Sequence, residues 1–220
     1  DCGGKGTWDN AGDTAAEYLL SRGRRSIDAL ALTHLHADHA NGVERLLTRI
    51  SVGTLYLPED TDDSDGLLGG ILACAERQRT EVAYVGGEDL TPAYGGLELT
   101  LYAPLDAGDE NERGVIVLAA MGEFEALIMG DVNSAVERRL VESRELPDVE
   151  LLVVGHHGSK YSTSFELLEA IDADWAAISV GWNSYGHPTY EALRRLGIFD
   201  IEVFRTDENG NITVRANTYG

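Results

Sequence analysis

The segment LTHLHADHANG, residues 32–42, decides how this sequence folds and what it can bind. It places His34, His36, Asp38 and His39 within six positions, directly after the apolar run IDALALT (27–33). That run reads as a buried strand. Side chains at i and i+2 of an extended segment point the same way, so His34 and His36 can clamp one ion. Asp38 and His39 are adjacent, and a turn after the strand swings them toward a second position. Imidazole and carboxylate suit zinc, manganese or iron. Two ions a few ångströms apart need a bridging ligand, and a carboxylate closing another strand would serve. IMGDVN (128–133) offers Asp131, after the apolar FEALIMG and before a helix. Asp131 also reads as the N-cap of that helix, and both roles can hold together.

The other histidines follow the same plan. Of six in the chain, two lie in VVGHHGSK (153–160) and one in SYGHPTY (184–190). VELLVVG (149–155) precedes the first group and WAAISVG (175–181) the second, both apolar and strand-like. Strand ends on one edge of a sheet converge on one site. A single histidine after a strand reads equally well as a hydrogen-bonded loop residue, and His187 keeps that alternative.

Working outward, helices and strands alternate. Helices are expected at 13–22 with Asp13 as N-cap, 43–50, 66–79, 134–143, 164–171 and 190–197. Strands are expected at 54–58, 81–86, 97–104 and 201–206, with a hairpin of 114–121 and 124–130 about a Gly-Glu turn. The tail GNITVRAN (210–217) is expected to add an edge strand. This mixture predicts helices outside and two sheets inside, in one domain over residues 1–220.

Composition limits the partners. The 220 residues are 43% hydrophobic, which specifies a globular core. Acidic residues number 38 against 17 basic ones, a net charge of −21, and the only lysines are Lys5 and Lys160. A broad basic face for duplex DNA is therefore excluded. A polyanionic substrate has to be held by metal ions and a few local cations. The acidity reads first as solubility, or as adaptation to salt. No apolar run approaches the roughly 20 residues of a membrane span, and no signal-peptide pattern is present. The opening DCGGKGTWDN, without an initiator Met, suggests a piece of something longer. Cys2 and Cys74 have neither zinc-knuckle nor disulfide-framework spacing, and Cys74 reads as a core thiol.

THLHADH, a later strand ending in GD and another ending in GHH together resemble the metallo-β-lactamase superfamily, and DCGG resembles its first motif. More finely, VVGHHGSKYSTS, SVGWNSYGHP and RTDENGNITV resemble the C-terminal metallo-β-lactamase-like domain of the ComEC competence DNA-uptake proteins, nearly end to end. The resemblance implies an α/β fold, the four-layer αββα sandwich, lacking here its first one or two strands. It implies a domain excised from a longer bacterial membrane protein, outside the cytoplasm and tethered to a membrane channel. It implies two divalent metal ions, zinc or manganese. His34 and His36 would bind the first, Asp38 and His39 the second, Asp131 would bridge, and His156 would join the second site. His157 would be a ligand, a residue behind the ligands, or one facing phosphate. A further first-site histidine common in the superfamily is absent, since residues 40–130 contain none; Asn111 stands near that place.

The chemistry so implied is phosphodiester hydrolysis by a metal-activated hydroxide, with DNA, as a single strand, the substrate during uptake. Asp38 would orient the hydroxide and hold its proton. His187 would donate to the leaving oxygen or clamp phosphate. Ser159, Lys160 and Ser162 would hold a phosphate, and Asn183 and Tyr185 would line the pocket, the tyrosine stacking on a base. Two other readings use the same residues: a small-molecule hydrolase on this fold, and a non-enzymatic module with a degenerate site.

Overall fold

The computed structural model describes residues 1–4, 10–59, 63–105, 108–109 and 111–217, so Lys5 lies outside the described residues. The chain forms two compact units, Asp1–Gly87 and Glu88–Gly220.

The first unit runs α1 (Ala11–Ser21), β1 (Ser26–Ala31), α2 (Ala37–Ala40), α3 (Val43–Leu47), β2 (Ser51–Pro58), α4 (Leu68–Gln78) and β3 (Glu81–Val85). Its three strands are parallel in the order β1-β2-β3, with Leu30 opposite Leu55 and Tyr56 opposite Ala83. Parallel strands need helical crossovers, and the apolar faces of those helices close the core. Ala16, Leu46, Leu47, Ile71 and Cys74 pack with Leu32, Leu55 and Leu57. The first helix begins two residues earlier than expected. Asn10, not Asp13, is its cap, accepting from the Gly12 N–H. Asp13 instead reaches across to α3 and the turn after it, where Arg45 and Arg49 bind its carboxylate at 2.9 and 2.6 Å.

The second unit runs β4 (Ala93–Tyr94), β5 (Leu97–Tyr102), β6 (Ile116–Met121), β7 (Phe124–Ile128), α5 (Ser134–Ser143), β8 (Leu151–Val153), α6 (Phe165–Ile171), β9 (Trp175–Ile178), α7 (Tyr190–Ile198), β10 (Glu202–Arg205) and α8 (Thr206–Asn209). One sheet takes all seven strands in the order β10-β9-β8-β7-β6-β5-β4. The half from β7 to β10 is parallel and the half from β4 to β7 antiparallel. The expected hairpin is β6–β7, with Met121 opposite Phe124 around Gly122 and Glu123. Val136 and Leu140 of α5, Leu167 and Ile171 of α6 and Leu196 of α7 share a buried cluster with Leu127, Leu152, Ala176 and Ile178 of the sheet.

The tail departs from expectation: residues 211–217 form no strand. After β10 the chain winds at once into α8. Arg205 pairs with Asp207 at 2.7 Å and Glu208 at 2.8 Å, and the Thr206 hydroxyl donates to the Val180 carbonyl at 2.7 Å. These local contacts turn the chain away from the sheet's edge before a further strand can pair. Among the described residues, no helix is long and apolar enough to cross a membrane.

Candidate metal centre

In the first unit the ligand segment begins where β1 stops. Thr33, His34 and His39 are buried, while His36 and Asp38 are half-buried. His36 caps α2, accepting from the His39 and Ala40 N–H groups through its carbonyl. The ring centroids of His36 and His39 lie 4.8 and 4.1 Å from that of His34. Asp1 sits behind this cluster. Its Oδ1 accepts from the Thr33 N–H at 2.8 Å, and its Oδ2 from the Thr33 hydroxyl at 2.9 Å and from His39 Nδ1 at 2.8 Å. The Thr33 hydroxyl in turn meets His34 Nδ1 at 3.0 Å. The Asp1 carboxylate behind His39, and the Thr33 hydroxyl behind His34, engage Nδ1, so Nε2 is the atom each ring could offer a metal.

The strip DCGG is bound to this segment by its backbone. The Cys2 N–H donates to the His39 carbonyl at 2.7 Å and the Gly42 N–H to the Cys2 carbonyl at 2.8 Å. A Cβ on Gly3 would fall 2.3 Å from the Asp38–His39 peptide, so only glycine allows this approach. The spacing of HxHxDH reveals none of these contacts. The signal that pointed to them was the opening motif itself.

In the second unit, neighbouring parallel strands end together. Ile128 of β7 pairs with Val153 of β8, and Val153 pairs with Ala177 of β9. Beyond those ends come Asp131, His156, His157 and, further on, His187. Asp131 is 5% exposed. It is not the cap of α5: Asn133 takes that role, accepting from the Ala135 and Val136 N–H groups. His156 and His157 both adopt left-handed backbone, φ 51° and 53°, which aims the two rings differently from an ordinary turn. Their Nε2 atoms each lie 3.8 Å from Asp131 Oδ2. That is too long for a hydrogen bond. It is close to the about 3.4 Å that separates two ligands of a tetrahedral ion with bonds near 2.1 Å. His157 Nδ1 meets the Ser179 carbonyl at 2.7 Å, so Nε2 is the ring atom turned to Asp131. The donor set and its spacing fit a divalent metal.

His187 comes within 5.7 Å of His156, ring centroid to centroid. The approach is set by a glycine: a Cβ on Gly158 would meet the Pro188 Cβ at 2.5 Å. Burial first, then the neighbouring His156 and His157, hold the His187 pKa below that of ordinary imidazole, with Asp131 working against them.

The loop SKYSTS is built from behind. Arg195 donates to the carbonyls of Thr163, Ser162 and Lys160 at 2.6, 2.7 and 3.1 Å. The buried Glu137 accepts from the Thr163 and Ser164 N–H groups, each at 2.6 Å. Ser159 and Ser162 are buried, and the Ser162 hydroxyl donates to the Val132 carbonyl. Of the three residues expected beside a phosphate, the exposed one is Lys160. Its side chain lines a cavity of about 430 Å³ with Asn111, Asp131, His156 and Tyr161. Asn183 likewise spends its amide on its own loop, and Tyr185 packs beside His187, centroids 5.9 Å apart.

A metal-ligand cluster at strand ends of an α/β fold defines a metallohydrolase-like site. Residues 1–182 match the metallo-beta-lactamase superfamily model, and the chain belongs to that superfamily. It has the metallo-β-lactamase fold anticipated from HxHxDH and GD. It is 29% identical to ComE operon protein 3 of Bacillus subtilis (strain 168) over 90% of its length, which is 26% of that protein. It is 28% identical to competence protein ComA of Neisseria gonorrhoeae over 87% of its length, 26% of that protein. The chain thus spans about a quarter of the length of these curated relatives, and they bear out the resemblance to competence proteins. Among solved structures, the diiron β-hydroxylase CmlA from Streptomyces venezuelae shares the fold at TM-score 0.56 and 20% identity, covering 83% of this chain and 44% of that one.

Proposed function

We propose that this chain is a metal-dependent phosphodiesterase that cleaves DNA, as a single strand, during uptake, residues 1–220 acting as one hydrolase domain. The observation that carries the reading is the pair of histidines held 3.8 Å from the Asp131 carboxylate, with Lys160 in the adjoining cavity. The ligands would be His34, His36, Asp38, His39, Asp131 and His156, as the superfamily resemblance assigns them. When bound, two divalent ions, zinc or manganese, supply positive charge to a phosphodiester and make water acidic enough to act as a nucleophile near neutral pH.

The chain's own residues do the rest. Asp1 holds His39 directly and His34 through Thr33, so both present Nε2. Asp38 orients the attacking water and takes its proton. His157, tied by Nδ1 to Ser179, stands beside Asp131 as a further ligand or a phosphate-facing group. Lys160 binds a non-bridging phosphate oxygen. His187, beside His156, donates a ring N–H hydrogen bond to the leaving oxygen, which takes its proton from water. A membrane channel elsewhere in the same polypeptide, with this domain outside the cytoplasm, would deliver the strand. The relatives' greater length and competence names support that setting.

The test is cleavage of labelled single- and double-stranded DNA by metal-free protein, with Mn²⁺ or Zn²⁺ restored, beside Asp38→Ala and His36→Ala. The expected result is metal-dependent cleavage of the single strand, lost in both variants. No cleavage with either metal at full occupancy overturns the reading.

A further inference from the structure

Trp182 is 97% exposed and Tyr185 69%. An indole normally buries 150–250 Å² on folding, so a tryptophan left in water is available for a partner. The loop that carries both rings is closed on itself. The Asn183 amide donates to the carbonyls of Gly181 and His187 at 2.9 and 2.8 Å, and its oxygen accepts from the Tyr185 and His187 N–H groups at 3.1 and 3.0 Å. Its far end is fixed too: the Thr189 N–H donates to the Gly158 carbonyl at 2.8 Å. The aromatics are therefore presented by a built scaffold.

One of the two rings, Tyr185, borders the candidate metal centre. Tyr185 lies against His187 with planes 33° apart, and His187 against His156. The cavity that His156 helps to line also holds Tyr161, 65% exposed, with Lys160 Nζ 4.8 Å from its ring centroid.

We propose that Trp182 and Tyr185, with Tyr161 of that cavity, form a base-stacking platform that holds single-stranded nucleic acid by its bases. The inference rests on the nuclease reading and names how its substrate is held. Charge decides the kind of contact. A chain of net charge −21 gains little from a row of phosphates. Stacking on a neutral ring needs no cation and is not screened by salt. A single strand offers its base faces, whereas a duplex hides them, so the platform also selects strandedness. Tryptophan and tyrosine suit a lipid headgroup layer as well. Here, however, Tyr185 packs on His187, which lies against His156, so the platform adjoins the candidate metal centre.

The test titrates the metal-free 220-residue chain with three labelled probes: a short oligothymidylate, a sugar-phosphate strand of equal length without bases, and a short duplex. Trp182→Ala and Tyr185→Ala are each expected to weaken oligothymidylate binding by roughly fivefold or more. Trp182→Phe should keep most of it. The baseless strand and the duplex should bind weakly to every form. The slope of log affinity against log salt should be shallow, reflecting about one or two released ions. Equal binding of the baseless strand, or unchanged oligothymidylate affinity in folded Trp182→Ala, overturns the platform. So does loss of binding to phosphatidylethanolamine–phosphatidylglycerol vesicles with DNA binding intact, which assigns the rings to a bilayer. If the wild type cleaves DNA while Trp182→Ala binds normally, the platform falls and the nuclease stands. If binding depends on Trp182 but no metal restores cleavage, the nuclease falls and the platform stands.

Discussion

Asp1 serves three groups with one carboxylate: the Thr33 N–H, the Thr33 hydroxyl and His39 Nδ1. Residues behind metal ligands typically govern affinity by 10- to 100-fold. Asp1→Asn is therefore expected to weaken zinc or manganese binding by roughly that factor, measured by chelator competition. The clustering of His34, His36 and His39 was legible from their spacing, although they lie after β1 rather than on it. The service of Asp1 was not, because it depends on a contact with residues more than 30 positions away. Asp13 teaches the same lesson, since an acid near a helix start reads as a cap until its distant arginines are seen. The hydrogen bond from Arg49, and secondarily Arg45, holds the Asp13 pKa below the usual carboxylate range against partial desolvation. A lowered folded-state pKa adds stability above the unfolded value, near 3.9, that is lost as pH falls through the folded value. Asp13→Asn should thus lower the melting temperature at pH 6 and low salt, and the gap should close as the pH falls below about 4.

At the scale of elements, β7, β8 and β9 were readable as apolar runs, and so was the gathering of Asp131, His156 and His157 beyond their ends. The tail was misread because its alternation of apolar and polar residues outweighed a local signal, the TDEN turn that becomes α8. The coupling of HHGSK to YGHP also escaped the sequence, because it is a steric fact about Gly158 and Pro188. Gly158→Ala would place a methyl group 2.5 Å from Pro188 on a backbone of φ 81°. It should cost more than about 1 kcal/mol in denaturant unfolding and lower phosphodiesterase turnover by displacing His187. Glu137 offers a second test of the same scaffold. Its burial raises its pKa, opposed by the Ser164 and Thr163 N–H groups and by Arg195. Glu137→Ala strips two buried N–H groups of their acceptor and should cost roughly 2–5 kcal/mol, with urea midpoints as the measure.

For the molecule as a whole, a charge of −21 repels itself, and each bound cation relieves part of that repulsion. Raising salt from low to physiological strength should increase the melting temperature without any metal. Adding Mn²⁺ or Zn²⁺ at about 100 times its dissociation constant should add about 2.7 kcal/mol per independent site. The share of one site should vanish in His36→Ala, with thermal shift as the measurement. The superfamily was legible from seven residues, THLHADH, because the chemistry of metals tolerates few alternatives. The exposure of Trp182 was less so, because exposure is a property of the folded surface, and Trp182 looks in sequence like any other core aromatic.

The Asn183 clasp has a consequence for divergence. Because the loop from Gly181 to His187 closes through one side chain's amide, the residues at 182, 184 and 185 are exposed passengers on a fixed frame. Evolution can rewrite those three positions without moving Pro188 off Gly158 or His187 from its neighbours. Chains that keep the same metal residues can thus change substrate by resurfacing one small cassette.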